Sequence, residues 1–577
     1  MIKPYRQSAL FKKARCLYER NAFVTSLLAL AALAGGIFSA GAQEAVAETY
    51  AADSTATQSH AALPVYIREY RVLDSHQLKP VEVQEAVYPY LGPGRTTDDV
   101  EHARAALEKA YKDKGFQTVS VQVPPQTARR GIVVLQVVEN RVGRLRVRGS
   151  RYFAHEQIKQ GAPSLAEGQV VDFENVTKDI VSLNQLPDRR VTPSLRPGVE
   201  PNTVDVDLTV KDTFPLHGSV ELNNRYSQDT TELRLNGAVS YNNLWQLGHS
   251  AGMSFQISPE NLDQVEVITG YYTARIPSLP QWNLTLQATK QNSNVSTLGS
   301  SPMVGKGEII GARVNVTLPP GTGFYQFFSF GIDYKHTGNN VFGQDSTTTT
   351  LADGTVVTGT DHSRPVTYFP LTATYGATWA GKGRTTELNT DLVFHPRGLG
   401  SNTDRFDSRR YNSDGSFIYI RGDLSHTQDL PLGFQAYGKV QGQLSNSPLI
   451  DNEQFSGGGL DSVRGYLESA QLGDNALFGS AELRTPSLLG KFGGEKNEWR
   501  IYAFCDAGLL TIHSPLPEQQ SRFNLASVGV GTRIRLMDHL NGSLDVGFPL
   551  ILQDTIPLTT SSTVENPLLT FRVWAEF

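Results

Sequence analysis

The sequence has only one long apolar stretch, at residues 22–38, and no other run that could cross a membrane as a helix. A basic segment precedes this stretch, and three small residues follow it at 40–42. This order predicts a secretory signal peptide over residues 1–42, cleaved near Ala42 or Ala47. A membrane anchor is the alternative, but about 17 residues interrupted by polar and glycine residues are short for a span.

Cysteine is also scarce, although export would permit disulfides. Of the two cysteines, Cys16 lies in the predicted signal peptide, so Cys505 is alone in the mature chain. One cysteine excludes an intramolecular disulfide. We therefore expect the fold to be stabilised without cross-links.

Charge of one sign and the motifs of catalysis are lacking as well. With 52 basic and 57 acidic residues the net charge is −5, which gives no reason to expect a nucleic-acid partner. The twelve histidines show no metal-ligand spacing, and Gly529 and Gly531 lack the third glycine of a nucleotide-binding loop. The sequence predicts no catalytic residue, no metal and no cofactor, and hence no enzyme.

What the sequence does contain begins with two similar segments, residues 64–140 and 141–213, after a small, polar, flexible leader at 43–63. Each segment has the predicted order β-α-α-β-β. In the first segment we predict a strand at 65–73, helices at 81–91 and from Thr96 onward, and strands at 117–123 and 131–139. In the second we predict strands at 144–148 and 204–211, and helices at 155–161 and from Phe173 to before Pro187.

Two features support this interpretation. Thr96 and Asp99 have the spacing of a helix capping box, and the strand at 204–211 alternates apolar with polar residues. The sequence therefore predicts two small α/β modules, whose exposed strand edges could bind an extended peptide. A role as simple spacers is the alternative.

From residue 214 to residue 577 the chain consists of segments of roughly ten residues with alternating polarity, the signature of a membrane β-barrel. In the last segment Leu569, Val573 and Phe577 would face lipid while Arg572 would face inward. We count about 16 such segments. The predicted fold class is a transmembrane antiparallel β-barrel that follows two small α/β modules.

The connections between these segments alternate in length. Short turns are predicted at 242–246, 319–322, 381–383 and 429–431, and long loops between them at 339–364, 396–412, 445–474 and 548–565. A barrel with short turns on one side of the membrane and long loops on the other sorts its connections in this way, whereas a soluble sandwich has no reason to do so.

The loop at 445–474 is unusual because it combines three glycines with Val463, Arg464, Gly465 and Tyr466. Such a loop could fold into the lumen, where a guanidinium would need an acidic partner. Strand parity supplies candidates that point inward. These are Phe504, Asp506 and Gly508 on one strand, and Glu482 and Arg484 on the strand before it.

The motifs E-x-F-x-G-G-x-x-x-S-V-R-G-Y, N-A-L-F-G-S-A-E-L-R-x-P and F-x-D-x-G resemble those of two-partner secretion transporters of the haemolysin and filamentous-haemagglutinin type. The resemblance extends over the chain from about Pro64. It implies two periplasmic POTRA (polypeptide-transport-associated) modules before a barrel of sixteen strands in the outer membrane.

The resemblance also implies roles for particular residues. Arg464 would be the tip of an inward-folded loop that docks on Asp506, with Val463, Gly465 and Tyr466 shaping the tip. Phe504 and Gly508 would complete the docking surface, and Phe577 is interpreted as the C-terminal barrel signal. Family members commonly carry an N-terminal plug helix, and residues 43–63 form at most a weak one.

The predicted function is therefore a pore that captures and secretes one large partner exoprotein, an adhesin or a haemolysin. The expected partners are that unfolded exoprotein, outer-membrane lipid and, during biogenesis, the barrel-assembly machinery. Two alternatives are an insertase that assembles other barrels and a passive porin or receptor. The presence of only two modules and of haemolysin-type motifs counts against an insertase. A passive porin or receptor would leave both modules unexplained.

Overall fold

A computed structural model describes residues 65–577 apart from residues 128, 229, 277–278, 294, 297–302, 305–306, 320, 339–346, 351–355, 360–364, 490–495, 518 and 552–566. The predicted signal peptide and leader, and parts of the predicted loops at 339–364 and 548–565, lie outside the described residues. Two compact units divide at the junction of Pro215 and Leu216.

The first unit consists of two α/β modules, each with a three-stranded sheet and two α-helices. Its strands are β1 (Val65–Ile67), β2 (Glu69–Leu73), β3 (Gly92–Arg95), β4 (Ser120–Gln122), β5 (Ile132–Val138), β6 (Arg141–Arg148), β7 (Arg189–Pro197) and β8 (Thr203–Asp212). Its helices are α1 (Pro80–Val87), α2 (Thr97–Asp113), α3 (His155–Gln160) and α4 (Phe173–Leu183), with short 3-10 helices at Tyr88–Tyr90, Arg129–Gly131 and Pro163–Leu165.

In the first module the sheet order is β2-β5-β4, and β1 pairs separately with β3. Helix α2 buries Ala103, Leu107 and Tyr111 completely. The predicted capping box is confirmed, since the Thr96 amide donates to the Asp99 carboxylate at 2.8 Å. This hydrogen bond holds the pKa of Asp99 below its usual range.

In the second module the sheet order is β6-β8-β7, with β6 parallel and β7 antiparallel to the central strand. The predicted helix from Phe173 is confirmed as α4, which begins where the Asp172 side chain accepts a hydrogen bond from the Glu174 amide. Val176, Ile180 and other apolar residues of α4 pack on the sheet. Residue patterning did not predict the bounds of β7, because three arginines and two prolines obscure its alternation.

The second unit is a closed antiparallel barrel of sixteen strands, in which β20 and β21 are two pieces of one strand. Its wall strands are β9 (Leu216–Asn223), β10 (Arg234–Leu244), β11 (His249–Ile257), β12 (Val265–Arg275), β13 (Trp282–Ser293), β16 (Gly307–Thr317), β17 (Phe324–Thr337), β20 (Val366–Tyr368), β21 (Leu371–Gly381), β22 (Arg384–His395), β23 (Phe417–Asp429), β24 (Gln435–Ser445), β27 (Asn475–Arg484), β28 (Glu498–Thr511), β29 (Arg522–Leu536), β30 (Leu540–Pro549) and β31 (Leu568–Glu576).

Smaller elements lie in the connections of the barrel. These are the strands β14 (Val295–Ser296), β15 (Met303–Val304), β18 (Thr347–Thr350), β19 (Val356–Gly359), β25 (Phe455–Gly457) and β26 (Gln471–Gly473), the helix α5 (Thr403–Arg409) and a 3-10 helix at Pro431–Gly433. Within the described residues, no helix is long and apolar enough to cross a membrane.

The two faces of the barrel wall follow the predicted alternation. On β28, Ile501 and Cys505 are exposed on the outside, whereas Tyr502, Phe504 and Asp506 are buried inside. The outside of the wall is rich in exposed large apolar side chains, which suits a lipid environment. Strand parity therefore placed these side chains on the correct faces.

The connections also alternate, with one exception. The turns at 245–248, 382–383 and 537–539 lie at one end, which we call the turn end, and the connection at 446–474 lies at the opposite loop end. The connection at 485–497 lies at the turn end, yet it is longer than the one at 258–264 at the loop end. Length parity thus indicates the sides of the barrel only as a trend.

Candidate functional site: a loop docked inside the barrel

The connection at 446–474 folds into the barrel as a hairpin. Strands β25 and β26 pair antiparallel, with Phe455 opposite Gly473 and Gly457 opposite Gln471. Beyond these strands the hairpin continues as a turn-rich segment, residues 458–470, which we call the tip. Val463 is fully buried and Tyr466 nearly so. They share an apolar cluster with the wall residues Ala476, Phe478, Leu510 and Leu525.

Arg464 of the tip binds Asp506 of β28 through three hydrogen bonds. Its Nε donates to Oδ2 at 2.7 Å and its Nη2 donates to Oδ1 at 2.8 Å, which is a bidentate guanidinium–carboxylate pair. The backbone N–H of Arg464 also donates to Oδ2, at 3.1 Å. Because the two residues are 5% and 3% exposed, water has little access to the pair.

Glu482 of β27 is a second acidic partner in this dock and binds three arginines. Its Oε1 accepts from Arg464 Nη1 at 2.6 Å and from Arg533 at 3.2 Å, and its Oε2 accepts from Arg484 at 2.6 Å. The proposed lumen neighbours Glu482 and Arg484 therefore touch each other, but only Glu482 touches Arg464. Asp545 of β30 lies 3.7 Å from Arg464 Nη1.

The ring of Phe504 lies beneath the Arg464 guanidinium, with 3.6 Å from the central guanidinium carbon to the ring centroid. A cation over an aromatic face is attracted by the quadrupole of the ring. Gly529, the strand partner of Phe504, leaves space for the ring, since a Cβ there would lie 2.3 Å from it. Gly529 and Gly531, which do not form a nucleotide-binding loop motif, thus make room for the aromatic rings of Phe504 and Tyr502 in the lumen.

Gly465 and Tyr466 fix the turn of the tip against β30 and β29. Gly465 has φ +90°, and its backbone approaches that of Gly547 so closely that a Cβ on Gly547 would lie 2.5 Å from the Gly465 nitrogen. The Tyr466 hydroxyl lies within hydrogen-bonding distance of the carbonyls of Ala526, at 2.9 Å, and of Ile551, at 2.6 Å. Arg464, Gly465 and Tyr466 together therefore contact β27, β28, β29 and β30.

Gly508 acts through a neighbour rather than by touching the tip arginine. A Cβ at Gly508 would overlap the ring of Phe478, which stacks on Phe455 of β25 with ring centroids 5.4 Å apart. Phe577 lies elsewhere, where the last strand meets the first: its backbone exchanges hydrogen bonds with Gly218 at 3.0 and 3.1 Å. Its side chain is exposed on the outer face.

Sequence reasoning missed a second ionic contact of the tip. Arg225, which follows β9, donates to Glu468 at 2.6 Å and to Asp461 at 2.7 Å. The side chain of Arg225 is buried. No local motif marks Arg225, since its partners lie more than 230 positions away in the chain. Asp545 was missed as well, although strand parity would have placed it on the lumen side.

The arrangement is a set of ion pairs and hydrogen bonds that docks the tip on the barrel wall. Charged groups of the tip meet charged groups of the wall, and the hydrogen-bonding groups of Arg464 face carboxylates or a hydroxyl. In the described part of the chain, no group of three or more His, Cys, Asp or Glu could hold a metal ion. The site can hold the loop inside the barrel.

Comparison with known families gives two matches along the chain. The family model described as "Haemolysin secretion/activation protein ShlB/FhaC/HecB" matches residues 202–534, which is more than half of the 577 residues. The model of the POTRA domain of the ShlB type matches residues 65–140. The first α/β module and most of the barrel are thus covered.

Individual relatives are distant but extend over most of the chain. The outer membrane transporter CdiB of Dickeya dadantii is 23% identical over 432 residues, 72% of each chain. The heme/hemopexin transporter protein HuxB of Haemophilus influenzae is 19% identical over 418 residues, 70% of this chain and 69% of its own.

Solved structures show the same fold. CdiB from Escherichia coli matches with a TM-score of 0.61 and 19% identity over 100% of this chain and 99% of its own. BamA from Haemophilus ducreyi lacking POTRA domains 1–3 matches with a TM-score of 0.51 and 13% identity over 89% of this chain and 100% of its own. At these identities the likeness concerns the architecture alone.

Proposed function

This chain belongs to the haemolysin secretion/activation family of ShlB, FhaC and HecB, and from that premise we propose that it secretes one large exoprotein by two-partner secretion. Its barrel lies in the outer membrane, and its N-terminal modules lie in the periplasm. The unfolded exoprotein, an adhesin or a haemolysin, is captured by the modules, threads the barrel and folds outside. The chain performs no chemistry of its own. Lipid and the barrel-assembly machinery are further proposed partners.

The observation that best supports this proposal is the docked tip around Arg464. A passive porin needs no loop that fills its lumen through a bidentate ion pair, an aromatic contact and a glycine-to-glycine approach. A protein conduit needs an obstruction that holds at rest and yields to a polypeptide. We propose that Arg464 and Asp506 form the central contact of that obstruction.

For capture, the second module is a poor candidate because both edges of its sheet are partly occupied. On β7, the Asn184 side chain bonds both backbone groups of Val191, and Pro193 and Pro197 have no N–H to offer. On β6, Val142 pairs with the backbone at 168–169 and the Leu145 amide donates to Glu167. An incoming strand would find few backbone groups to pair with.

In the first module one edge differs. Strand β4 is only three residues long, and its Val121 carbonyl accepts from Arg104. Strand β2 is five residues long and ends the sheet in the described part of the chain. Because Arg68 donates to Gly131 on the β5 side, the alternation of N–H groups points those of Glu69, Arg71 and Leu73 away from the sheet. We propose that the exoprotein adds a strand at this edge.

A comparison of culture supernatants with and without the gene tests the proposed function. We expect one large protein to disappear from the supernatant while the composition of the outer membrane stays the same. Depletion of many outer-membrane proteins would instead support an insertase and would contradict the proposal.

The role of the dock is tested by Arg464→Ala. This change leaves two buried carboxylates with one partner fewer, which costs about 3–5 kcal/mol in a dry site. We expect the barrel to remain inserted, as judged by its heat-modifiable mobility in gels, and secretion to fall more than about tenfold. Arg313→Ala is the matched control, because it removes a lumenal arginine paired with Asp333 of the wall. Normal secretion by Arg464→Ala would contradict the role of the dock.

A further inference from the structure

The part of the inward loop that precedes the tip is held at a different place on the wall. We call the paired strands β25 and β26, with the adjoining residues 449–454 and Asp474, the stem. Leu449 and Ile450 of the stem are buried in an apolar cluster with the wall residues Tyr368 and Tyr419 and with Phe406 of α5. This part of the stem is therefore packed near the loop end of the barrel, on strands other than those that bind Arg464.

Glu453 is the centre of the contact between stem and wall. It is 1% exposed, and its Oε1 accepts from Lys335 Nζ and from the Tyr368 hydroxyl, each at 2.6 Å. Its Oε2 accepts from the Tyr419 hydroxyl, also at 2.6 Å. The donors belong to β17, β20 and β23, none of which supplies a partner to Arg464. One carboxylate of the loop is thus bonded to three strands.

The backbone at Glu453 is held as well. Its carbonyl accepts from Arg421 at 3.1 Å and from Gln443 at 3.2 Å, which lie on β23 and β24. At the other end of the stem, fully buried Asp474 accepts from the Leu449 amide at 2.9 Å, and from the His513 amide at 2.7 Å. Both sides of the stem are consequently tied to each other and to the wall.

Between stem and tip the backbone changes direction at residues with positive φ. Gly458 and Gly459 have φ of +98° and +93° on one side of the hairpin, and Ser469 has φ +56° on the other. These residues face each other across the hairpin, since Ser469 Oγ lies 2.6 Å from Ser456 Oγ. A rotation at these positions would move residues 458–470 without breaking any of the contacts of Glu453.

We propose that the loop consists of a fixed stem and a releasable tip. Glu453 is the positioning residue that keeps the stem on the wall when Arg464 dissociates from Asp506. The proposal rests on the proposed function, in which the tip obstructs the passage. Its basis is that the side-chain partners of Glu453 and those of Arg464 lie on separate strands, and that the two loop side chains have opposite charge. Glu453 of the stem supplies a carboxylate to Lys335 of the wall, whereas Arg464 of the tip supplies a cation to Asp506 and Glu482.

The consequence for transport is that the passage opens by movement of the tip alone. The stem would stay beside β17, β20 and β23 and would guide the tip back after the polypeptide has passed. If the Glu453 carboxylate is removed, the tip can still dock through Arg464 and Arg225, but the stem loses its bonds to Lys335, Tyr368 and Tyr419. The two docks can therefore be disabled one at a time.

Hydrogen exchange with mass spectrometry on the full-length protein in detergent tests this division. In Arg464→Ala we expect amides of residues 458–470 to exchange more than about tenfold faster while those of 449–457 stay within about twofold of the wild type. In Glu453→Gln we expect the reverse pattern. Arg313→Ala, whose ion pair touches neither dock, should change neither segment.

Equal loosening of stem and tip in Arg464→Ala would overturn the proposal, and so would unchanged protection of the tip. If Glu453→Gln fails to insert, Lys335→Met is the second variant, because it removes the cation and leaves the carboxylate in place. Lys335→Arg should restore the protection of the stem. These readouts do not depend on secretion, so a protein that secretes nothing would contradict the proposed function while the stem and tip could still be distinguished.

Discussion

Two glycines determine how closely the tip approaches the barrel wall. Gly465 adopts φ +90° and lies against Gly547 of β30, where a Cβ would come within 2.5 Å of the Gly465 nitrogen and 2.9 Å of the Arg464 carbonyl carbon. The ion pair of Arg464 and the ring contact with Phe504 depend on this approach, because both need the tip at its present depth. Two glycines, which carry no charge, thus control the geometry of a charged site.

Gly547→Ala should therefore undock the tip while leaving every charge in place. Overpacking of this kind costs about 1–3 kcal/mol, which corresponds to a rise of about 5- to 150-fold in the exchange of tip amides and to a loss of secretion in the same direction. Gly479→Ala is the control, because a Cβ there meets nothing within 4 Å. If the two variants behave alike in hydrogen exchange and secretion, the close approach is unimportant.

Among the elements, strand edges differ between the two periplasmic modules. In the second module Asn184 and two prolines occupy one edge, and the backbone at 168–169 occupies part of the other. In the first, β2 ends the sheet in the part of the chain that the structure describes. An added strand needs unpaired N–H and C=O groups, so the two modules are not equivalent for capture.

Arg71→Pro tests capture at β2. The substitution removes an N–H that points away from the sheet, and proline is tolerated on an edge strand. We expect secretion to fall several-fold at an unchanged amount of inserted barrel. Arg71→Thr is the matched variant, because it keeps the N–H and loses only an exposed ion pair with Glu69, which contributes little. Equal secretion by both variants would argue against strand addition at this edge.

In the barrel as a whole, the junction of the first and last strands has fewer Cα-paired residues than the strand pairs on either side of it. Strands β31 and β9 share five Cα-paired residues, and backbone hydrogen bonds extend this pairing to Phe577 with Gly218 and to Phe571 with Asn224. Strand β9 shares eight Cα-paired residues with β10, and β30 shares eight with β31. At the end of this junction the Asn224 side chain adds to the strand pairing, since it donates to the Leu569 carbonyl and accepts from the Phe571 amide. Tip and junction are adjacent, because Arg225 of the tip contact follows Asn224.

Amide exchange should reflect this difference in pairing. We expect amides of β31 to exchange at least about tenfold faster than those of β29, which pairs with β28 over 14 residues and with β30 over 10. Hydrogen exchange of the inserted wild-type protein, resolved by peptide, measures this difference between β31 and β29. Equal protection of the two strands would show that the short junction is compensated by its side-chain contacts.

Much of the molecule was determined by the sequence through local periodicity. Alternation with period two placed Asp506 and Glu482 on the lumen side and Cys505 on the outside, because each strand of the wall has one wet and one lipid face. The capping box at Thr96 and Asp99 set the start of α2 in the same local way. Membership of the secretion family was recognised from motifs that are contiguous in the chain.

The partners of the loop were decided only by the tertiary structure. Glu453 meets Lys335 from 118 positions away, and Arg225 meets Asp461 from 236. Parity tells which face a side chain occupies, but not which side chains of the closed barrel stand opposite one another. That depends on the register of sixteen strands and on the depth to which the loop enters. The division of the loop into stem and tip is therefore a property of the assembled barrel.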